Sequence, residues 1–381
     1  MLPKGALTGK TVIDLSRMLP GPYCSMLLAD HGARVIAVED KRFAGDPFFV
    51  SALYRNKEHM TLNLKTEPGR QVFACLAGQA DVLIEGFRPG VTARLGVDWA
   101  CMQELNPSLV YCSITGYGQS GPERDRAGHD VNYLAAAGVL DLIGRPAGPP
   151  IIPGIQIADL AGGMNAALGI LLALLAREQT GKGQYVDISM SDAAMGLLPF
   201  ALNYLNQTGQ SPQRGDFLLA HGYACYNTYQ TADGRAISIG ALEPKFWAAL
   251  CTHLGLNGFI QHQFDDSRRE EIQAAFRAAL AQKTLAQWEE ELYSLDACCQ
   301  GIRTLDEALA ADQFQDRGMV QHLPDSHGRL VPTLGLPIRL EGTPGGLRTP
   351  PAGFGAHTEK ILEELGYSPS DVRDLATKGV I

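Results

Sequence analysis

Short apolar segments alternate with helical patterns over the first 120 residues, and this alternation constrains the fold more than any other feature. Strands are predicted at 12–15, 34–39, 61–64, 81–85, 109–115 and 185–190, and helices at 23–30, 69–77 and 164–177. Apolar strands separated by helices at this spacing predict a parallel sheet covered on both faces. We therefore expect an α/β protein with a Rossmann-like parallel sheet, whose ligands bind at the carboxyl ends of the strands.

A second pattern follows the polar, turn-rich stretch 208–215. Asp233-Gly234 is the turn signal of a hairpin, and amphipathic helices come after it. The hairpin strands are predicted at 226–230 and 236–239, and the helices at 244–254, 267–281 and 285–294. From residue 331 a Pro- and Gly-rich connector is expected, ending in a helix at 357–365. The predicted organisation is a large domain at 1–205 completed by 330–381, a linker at 206–224 and a small α+β domain at 225–329.

Composition excludes several classes of protein. A net charge of −9 argues against nucleic-acid binding as the main role. The longest apolar run, 164–176, is too short and too rich in Gly and Ala to span a bilayer, so no membrane association is expected. The first residues lack the apolar core of a signal peptide, and the eight cysteines lack metal-ligand spacing. We expect a cytoplasmic protein with free, mostly buried thiols and no metal site.

The segment 126–159 contains the clearest candidates for chemistry. His129 lies in a turn between Gly128 and Asp130, and Asp159 follows thirty positions later at the start of an apolar helix. The free N–H groups of a helix start favour an anion in its first turn. An imidazole and a carboxylate that converge on one point could move a proton on and off carbon. The other interpretation is a turn histidine and a capping aspartate.

Residues 116–121 read GYGQSG, which matches the glycine spacing of a dinucleotide-binding loop directly after a strand. In that motif the third glycine leads into a helix whose start holds the pyrophosphate. Here the charged turn PERDR follows, without the apolar spacing of a helix. We therefore interpret the glycines as a tight loop beside the site and not as a dinucleotide site.

Basic residues follow several predicted strands, where they could bind the phosphates of a polyanionic ligand. They form three groups: Lys41 and Arg42, Arg55 and Lys57, and Arg88 and Arg94. Each of them alone is also typical of a solvated surface charge. Glu243, just before Pro244, is similarly compatible with a purely structural place in the first turn of a helix.

Several segments resemble the family III CoA-transferases, the carnitine and bile-acid CoA-transferase family, and they occur in the family order. They are VIDLSRMLPGPYCSMLLADHGARVIAVE, YRNKEHMTLNLK, ADVLIEGFRPGVTARLG, LNPSLVYCSITGYGQSGP, AGHDVNYLAAAGVL, ADLAGGMNAALGILLALLAREQTGKGQYVDISM and GAHTEKILEELGYS. The chain is identified as a member of this family. Membership implies that the large domain binds coenzyme A as part of an acyl-CoA substrate, with no permanently bound cofactor.

Two activities share this family scaffold. Asp159 matches the nucleophilic aspartate of the CoA-transferases. His129, in Gly-His-Asp, resembles the histidine of the α-methylacyl-CoA racemases, and Glu243 stands where racemases have the glutamate that holds this histidine. Either activity needs room for an acyl tail, which we expect near Met190 and Tyr133.

The resemblance also assigns contacts to coenzyme A. Arg94 and Lys57 match basic residues of the family's R-P-G-x-x-x-R-L-G and R-N-K segments. The chain departs from the family at Ala37, where a basic residue is usual, and at Gly86, where transferases often have asparagine. Further candidates for phosphate contacts are Arg88, Arg55 and Arg42, and Arg42 or Lys41 is expected to replace the missing cation at 37.

The racemase resemblance implies a mechanism in which His129 and Asp159 exchange the α-proton on opposite faces of an enolate. The N–H of Asp130 and the start of the helix at 160–176 are expected to stabilise the enolate oxygen. In the transferase alternative, the Asp159 carboxylate attacks the thioester and a free carboxylic acid is the second substrate. A third alternative is a non-catalytic acyl-CoA-binding subunit. The family resemblance further implies an interlocked, ring-like homodimer, which suits the long connectors.

Overall fold

The computed structural model describes residues 5–46, 50–325 and 327–381, and the chain divides into two compact units. The larger unit consists of Met1–Ala137, Gly154–Leu197 and Asp312–Ile381, and the smaller unit of Gly138–Pro153 and Leu198–Ala311. These bounds differ from the predicted domains, because 138–153 and 198–224 belong to the smaller unit and 312–329 to the larger one.

The strands alternate with helices through the first half of the chain, as the sequence predicts. The strands are β1 (Thr11–Asp14), β2 (Arg34–Glu39), β3 (Lys57–Thr61), β4 (Val82–Glu85), β5 (Val110–Thr115), β6 (Tyr185–Ser189), β7 (Tyr226–Gln230), β8 (Ala236–Gly240), β9 (Cys299–Gly301), β10 (Val320–Pro324) and β11 (Leu330–Leu334). The helices are α1 (Pro20–Asp30), α2 (Glu67–Ala77), α3 (Val91–Leu95), α4 (Trp99–Leu105), α5 (Asp130–Ala136), α6 (Val139–Leu142), α7 (Ile157–Thr180), α8 (Met190–Met195), α9 (Pro199–Thr208), α10 (Pro244–His253), α11 (Arg269–Leu280), α12 (Leu285–Leu292), α13 (Leu305–Ala310), α14 (Asp312–Asp316), α15 (Thr358–Glu364) and α16 (Pro369–Thr377).

The larger unit is built on a parallel sheet with the strand order β3-β2-β1-β4-β5-β6. Every neighbouring pair is parallel, so the predicted α/β fold with a parallel sheet is confirmed. The order reverses direction between β1 and β4, and ligands of such sheets bind at the strand ends around this point.

The position predicted for the third strand, 61–64, is wrong. The strand lies at Lys57–Thr61, with Lys57 opposite Val35 and Thr61 opposite Glu39 in β2. Leu62 and Leu64 follow the strand and are buried in the core. Their apolar spacing therefore reflects burial after the strand and not the strand itself.

The core of the larger unit combines sheet residues with side chains from α2, α4, α15 and α16. Ile13, Phe73, Leu83, Leu109 and Tyr111 are among its fully buried members. Burial of each such side chain contributes roughly 1.5–3 kcal/mol relative to exposure. The strands β1, β4 and β5 are thus anchored in a well-packed core.

Helix α7 is longer than the predicted 164–177, because it runs for 24 residues from Ile157 to Thr180. By length and composition alone, this helix is long and apolar enough to cross a membrane, with a mean hydropathy of 1.7. This corrects the expectation that the apolar run is too short. Half of that apolar window is buried inside the protein, and the helix packs against α1, β5 and β6. These contacts bury one side of the helix inside the protein.

The loop 116–121 has the tight turns that its glycines predict. Gly118 and Gly121 have φ values of 79° and 87°, a region that favours glycine. Turns occupy the charged residues that follow, and the next helix is α5. The interpretation of this segment as a tight loop is confirmed.

The smaller unit contains the predicted hairpin, β7 and β8, with β9 as a third antiparallel strand. Its core is centred on Trp247 and Phe276, whose rings stack with centroids 4.9 Å apart. The segment 138–153 joins this unit because the guanidinium of Arg214 donates to the carbonyl oxygens of Asp141, at 2.6 Å, and Gly148.

The C-terminal region departs from the predicted connector. Val320–Pro324 and Leu330–Leu334 form an antiparallel hairpin, in which His322 pairs with Pro332. Helix α15, Thr358–Glu364, confirms the predicted helix at 357–365. Helix α16 was not predicted, although Ser368 caps it with a capping box.

Candidate active site

A cavity of about 500 Å³ lies at the carboxyl ends of β1, β4 and β5 in the larger unit. Its lining comes from the loops that follow these strands, from the start of α5 and from the start of α7. The lining residues include Ser16, Arg17, Phe87, Arg88, Thr115, Arg124, Arg126, His129, Asn132, Tyr133, Asp159 and Met190. The volume is within the range of small-molecule sites.

His129 lines this cavity from the residue that precedes α5. Its backbone is extended, with φ −128° and ψ 175°, and its N–H donates to the Asn132 side chain at 3.0 Å. The residue is exposed, so its ring is accessible from the cavity. The capping contact fixes the backbone of His129 beside the cavity.

Asp159 lines the same cavity from the first turn of α7. Burial, with a contribution from the charge of Asp130, raises the pKa of Asp159 to about 6. Among the described residues, no group donates a hydrogen bond to its carboxylate. A carboxylate that is half-buried and unpaired is more basic than usual, which suits proton transfer.

The Asp130 side chain contacts the backbone at the start of α7. Its carboxylate accepts the backbone N–H groups of Ala158, at 2.7 Å, and Asp159, at 3.1 Å. It therefore joins the start of α5 to the start of α7 and positions Asp159. Charge-assisted bonds of this kind are among the stronger ones in proteins.

Three backbone N–H groups at the start of α7 already have acceptors, so they are not free donors for an enolate oxygen. The N–H groups of Ala158 and Asp159 bond to Asp130, and that of Leu160 bonds to the Gln156 carbonyl at 3.0 Å. The N–H of Asp130 itself has no hydrogen-bond acceptor within the described part of the chain. It remains a candidate donor.

Glu243 belongs to the smaller unit, whereas His129 belongs to the larger one. It occupies the N-cap position of α10 and is exposed. Its predicted contact with the histidine stays a prediction.

Of the predicted phosphate contacts, Arg88 lines the cavity. Arg88 and Arg94 are exposed, and neither guanidinium has a partner among the residues that the structure describes. Arg94 lies on α3, in the segment that follows Arg88. Arg42 lies outside the cavity lining and pairs with Asp40 at 2.8 Å.

Arg55 and Lys57 do not line this cavity, and their predicted contacts with phosphates stay a prediction. Arg55 is buried and pairs with Asp30 at 2.6 Å. The Lys57 ammonium is buried, donates to the Ser25 hydroxyl at 2.6 Å and lies 3.7 Å from Asp14, and burial lowers its pKa to about 8. Both cations therefore interact with buried carboxylates inside the protein.

Sequence reasoning missed three arginines of the cavity: Arg17, Arg124 and Arg126. Arg17 follows β1, and its guanidinium pairs with Asp46 and stacks 3.3 Å from the Phe43 ring. The rule that strand ends bind ligands would have found Arg17, because it comes three residues after Asp14. The charged turn after the glycine loop was read only as evidence against a helix.

Tyr133 and Met190 line the cavity as expected. The Tyr133 hydroxyl donates to the Gly128 carbonyl at 2.5 Å, and its ring contacts Tyr117 edge-on at 5.3 Å. The Thr115 hydroxyl is buried and has no hydrogen-bond partner among the described residues. The cavity thus combines aromatic walls with a few polar groups.

Comparison with known proteins identifies the relatives of this chain. Residues 7–358 match the family model described as CoA-transferase family III. Human alpha-methylacyl-CoA racemase is 37% identical over 99% of this chain and 97% of its own length. Acetyl-CoA:oxalate CoA-transferase of Acetobacter aceti is 34% identical over 89% of this chain and 90% of its own length.

The chain is also similar to solved structures. The crystal structure of a CAIB/BAIF family protein from Brucella suis matches with a TM-score of 0.83 and 30% identity. The match covers 95% of this chain and 100% of that one. The chain belongs to CoA-transferase family III.

Proposed function

We propose that the protein is an α-methylacyl-CoA racemase, which inverts the carbon next to the thioester of a 2-methylacyl-CoA. The observation that carries this proposal is that an accessible imidazole, His129, and a basic carboxylate, Asp159, line one cavity. The racemases of Homo sapiens and Mus musculus are 37% and 35% identical to nearly the whole chain.

The reaction needs two groups that exchange protons with opposite faces of one carbon. One of His129 and Asp159 takes the α-proton, and the electron pair of the broken C–H bond moves into the enolate. The other group returns a proton to the opposite face, and the two groups exchange roles for the other enantiomer. The pKa of Asp159, raised to about 6, is close to that of an ordinary imidazole. Proton transfer can therefore start from either enantiomer.

The enolate oxygen needs a preorganised donor. The N–H of Asp130 is the best candidate, because it lies beside His129 at the start of α5. Arg88 and Arg94 would bind the phosphates of coenzyme A, and the apolar tail would lie against Tyr133 and Met190. Glu243 would orient the imidazole, as in the racemases that the chain resembles.

The second candidate is CoA transfer, which several relatives perform by name. In this mechanism the Asp159 carboxylate attacks the thioester carbonyl, coenzyme A leaves as the thiolate, and an acyl-aspartyl anhydride forms. Coenzyme A then attacks the aspartyl carbonyl and releases the first acid. A second acid reverses both steps. The unpaired, cavity-lining carboxylate of Asp159 is compatible with this role too.

One pair of assays separates these functions. Incubation of a chiral 2-methylacyl-CoA in D₂O should introduce deuterium at the α-carbon together with inversion. Labelled 2-methyl acid should not enter the acyl-CoA pool. Acid exchange without deuterium uptake would instead establish a transferase. Absence of both, with coenzyme A still bound, would indicate a non-catalytic acyl-CoA-binding subunit.

We also propose a homodimer and a cytoplasmic location. Helix α7 exposes Met164, Leu168, Leu171, Leu172 and Leu175, each between 42% and 59% accessible, which is unusual for large apolar side chains on one helix. All eight cysteines are free, as in proteins of reducing compartments.

Light scattering after size exclusion tests the dimer. Leu172→Glu should yield monomers, because it adds a charge to the apolar face of α7. Leu105→Glu is the matched control on α4, where Leu105 is 45% accessible, and should remain dimeric. A dimeric Leu172→Glu variant would contradict an interface on this face.

A further inference from the structure

Two neighbouring strands, β1 and β4, end in buried carboxylates that hold the loops after them. Asp14 accepts the Ser16 N–H at 2.9 Å, and Glu85 accepts the Phe87 N–H at 2.8 Å. In both cases the donor follows the carboxylate by two residues. Ser16 and Phe87 both line the cavity, so each carboxylate shapes one part of its wall.

The two carboxylates differ in what balances their charge. Asp14 has a buried cation, Lys57, at 3.7 Å. Glu85 is only 2% exposed, and no lysine, arginine or histidine of the described residues pairs with it. Its other oxygen accepts the Ser113 hydroxyl, and Ser113 in turn accepts from the Tyr185 hydroxyl at 2.8 Å.

A buried carboxylate without a counter-ion is costly unless hydrogen bonds satisfy it. The donors to Glu85 are neutral, and one of them is the backbone of the loop itself. This loop, Gly86–Pro89, lines the cavity and includes the free Arg88. Glu85 therefore links the buried sheet to the backbone of this loop.

The loops after β1 and β4 also contact each other. A Cβ added to Gly86 would lie 3.5 Å from the Ser16 side chain, so the Gly86 backbone runs directly beside Ser16. The two loops are therefore neighbours in the cavity wall.

We infer that Glu85 is a positioning residue that holds Gly86–Pro89 in the conformation that binds the coenzyme A part of the substrate. The inference rests on the proposed use of this cavity for an acyl-CoA. It assigns Glu85 an effect on affinity and not on the proton-transfer step, because Glu85 lies beneath the loop and outside the cavity lining.

The charge state of Glu85 gives this assignment a measurable signature. Burial raises the pKa of Glu85 to about 7, and the charge of Asp187 on β6 adds to the shift, against the bonds from Ser113 and Phe87. The other titratable neighbours, Tyr111 and Cys112 on β5 and Tyr185 on β6, have raised pKa values and stay neutral near pH 7. As pH falls through about 7, Glu85 gains a proton, and its hold on Phe87 weakens.

The test measures binding of coenzyme A by calorimetry for the wild type, Glu85→Ala, Glu85→Gln and Ser113→Ala. Glu85→Ala should weaken binding about tenfold, because the loop loses its acceptor. Glu85→Gln keeps an oxygen for Phe87 and should stay within about threefold at a pH above about 7. Ser113→Ala leaves the bond to Phe87 in place and should also stay within about threefold.

The pH dependence supplies a readout that a general loss of stability would not change. The ratio of wild-type to Glu85→Gln affinity should fall as pH is lowered through about 7, since only the wild type gains a proton there. A constant ratio would overturn the inference, even if Glu85→Ala does not fold. So would unchanged binding by Glu85→Ala, an equal loss in Ser113→Ala, or a wild type that does not bind coenzyme A. Loss of α-proton exchange with binding intact would instead refute only the proposed reaction.

Discussion

The two walls of the cavity satisfy their polar groups in different ways. On the wall formed by the starts of α5 and α7, the His129 ring is accessible and the Asp159 carboxylate has no donor within the described residues. On the wall formed by the loops after β1 and β4, the carboxylates of Asp14 and Glu85 are buried and fully hydrogen-bonded.

In the proposed function, this difference separates the proton-transfer groups from the groups that hold the protein in shape. The Asp159 carboxylate lines the cavity and can exchange a proton with a bound molecule, whereas the carboxylates of Asp14 and Glu85 accept backbone N–H groups and hold two loops. Changes on the helix wall should therefore alter kcat, and changes on the loop wall should alter KM. Each prediction below tests one side of that distinction.

The largest effect is expected for Asp159→Ala, which removes one of the two proton-transfer groups. Racemisation should fall about a thousandfold in kcat with little change in KM, since general acid–base groups contribute about 10²–10⁴-fold. Racemisation can be followed by chiral analysis of the hydrolysed acid. Asp192→Ala is the matched control, because Asp192 is an exposed first-turn aspartate of α8 that does not line this cavity. Equal activity of the two variants would refute the role of Asp159.

A second, smaller loss is expected for His129→Gln, about a hundredfold in kcat. Because each group serves one face of the carbon, the variant should still exchange the α-proton of one enantiomer with D₂O, without inversion. Asp159→Asn should do so for the other enantiomer. Both exchanges can be read by mass spectrometry. Identical enantiomer preference in the two variants would contradict a two-base mechanism.

Asp130→Asn should have an intermediate effect, because Asp130 supports Asp159 without replacing it. The amide oxygen can still accept the N–H groups of Ala158 and Asp159, so kcat should fall less than about tenfold. Removal of the negative charge should lower the pKa of Asp159, since that charge now raises it. The acidic limb of the pH–rate profile should therefore move to lower pH. A shift to higher pH would contradict this electrostatic coupling.

On the loop wall, Arg88→Ala should raise KM about tenfold and leave kcat within about twofold, because a phosphate contact contributes mainly to binding. Arg42→Ala is the matched control and should change neither, since Arg42 lies outside the cavity and pairs with Asp40. Steady-state kinetics with one acyl-CoA at varied concentration measures both. A larger effect of Arg42→Ala would restore the sequence-based assignment of that residue.

The sequence predicted the sheet and drew attention to His129 and Asp159, which line one cavity, because both inferences depend on local patterns. Apolar strands and their spacing are visible in the chain, and so are the Gly-His-Asp turn and the aspartate at a helix start. The pairing of Asp130 with α7 was not visible, because it joins residues 28 and 29 positions apart.

The basic residues show the same limit more clearly. Lys57 and Arg55 match the pattern of phosphate contacts, but Asp14 and Asp30 bind them inside the protein. Which cation meets an internal carboxylate depends on how strands and helices pack, and no local pattern records it. The hairpin of β10 and β11 was missed because both of its strands contain a proline and β11 is mostly exposed, without a buried apolar face.

The smallest effect concerns stability. Because the folded protein raises the pKa of Asp159 above its usual value, this group favours folding only at low pH, and that contribution is lost as pH rises through about 6. At neutral pH, the free energy of unfolding of Asp159→Asn should therefore exceed that of the wild type by about 1 kcal/mol, after allowance for the partial exposure of the side chain. The variant should unfold at a higher temperature. The advantage should vanish below about pH 4, where the wild-type carboxyl is neutral in both states. Thermal unfolding across this pH range measures it. No gain at neutral pH would mean that the cavity holds the ionised carboxylate of Asp159 at no cost in folding free energy.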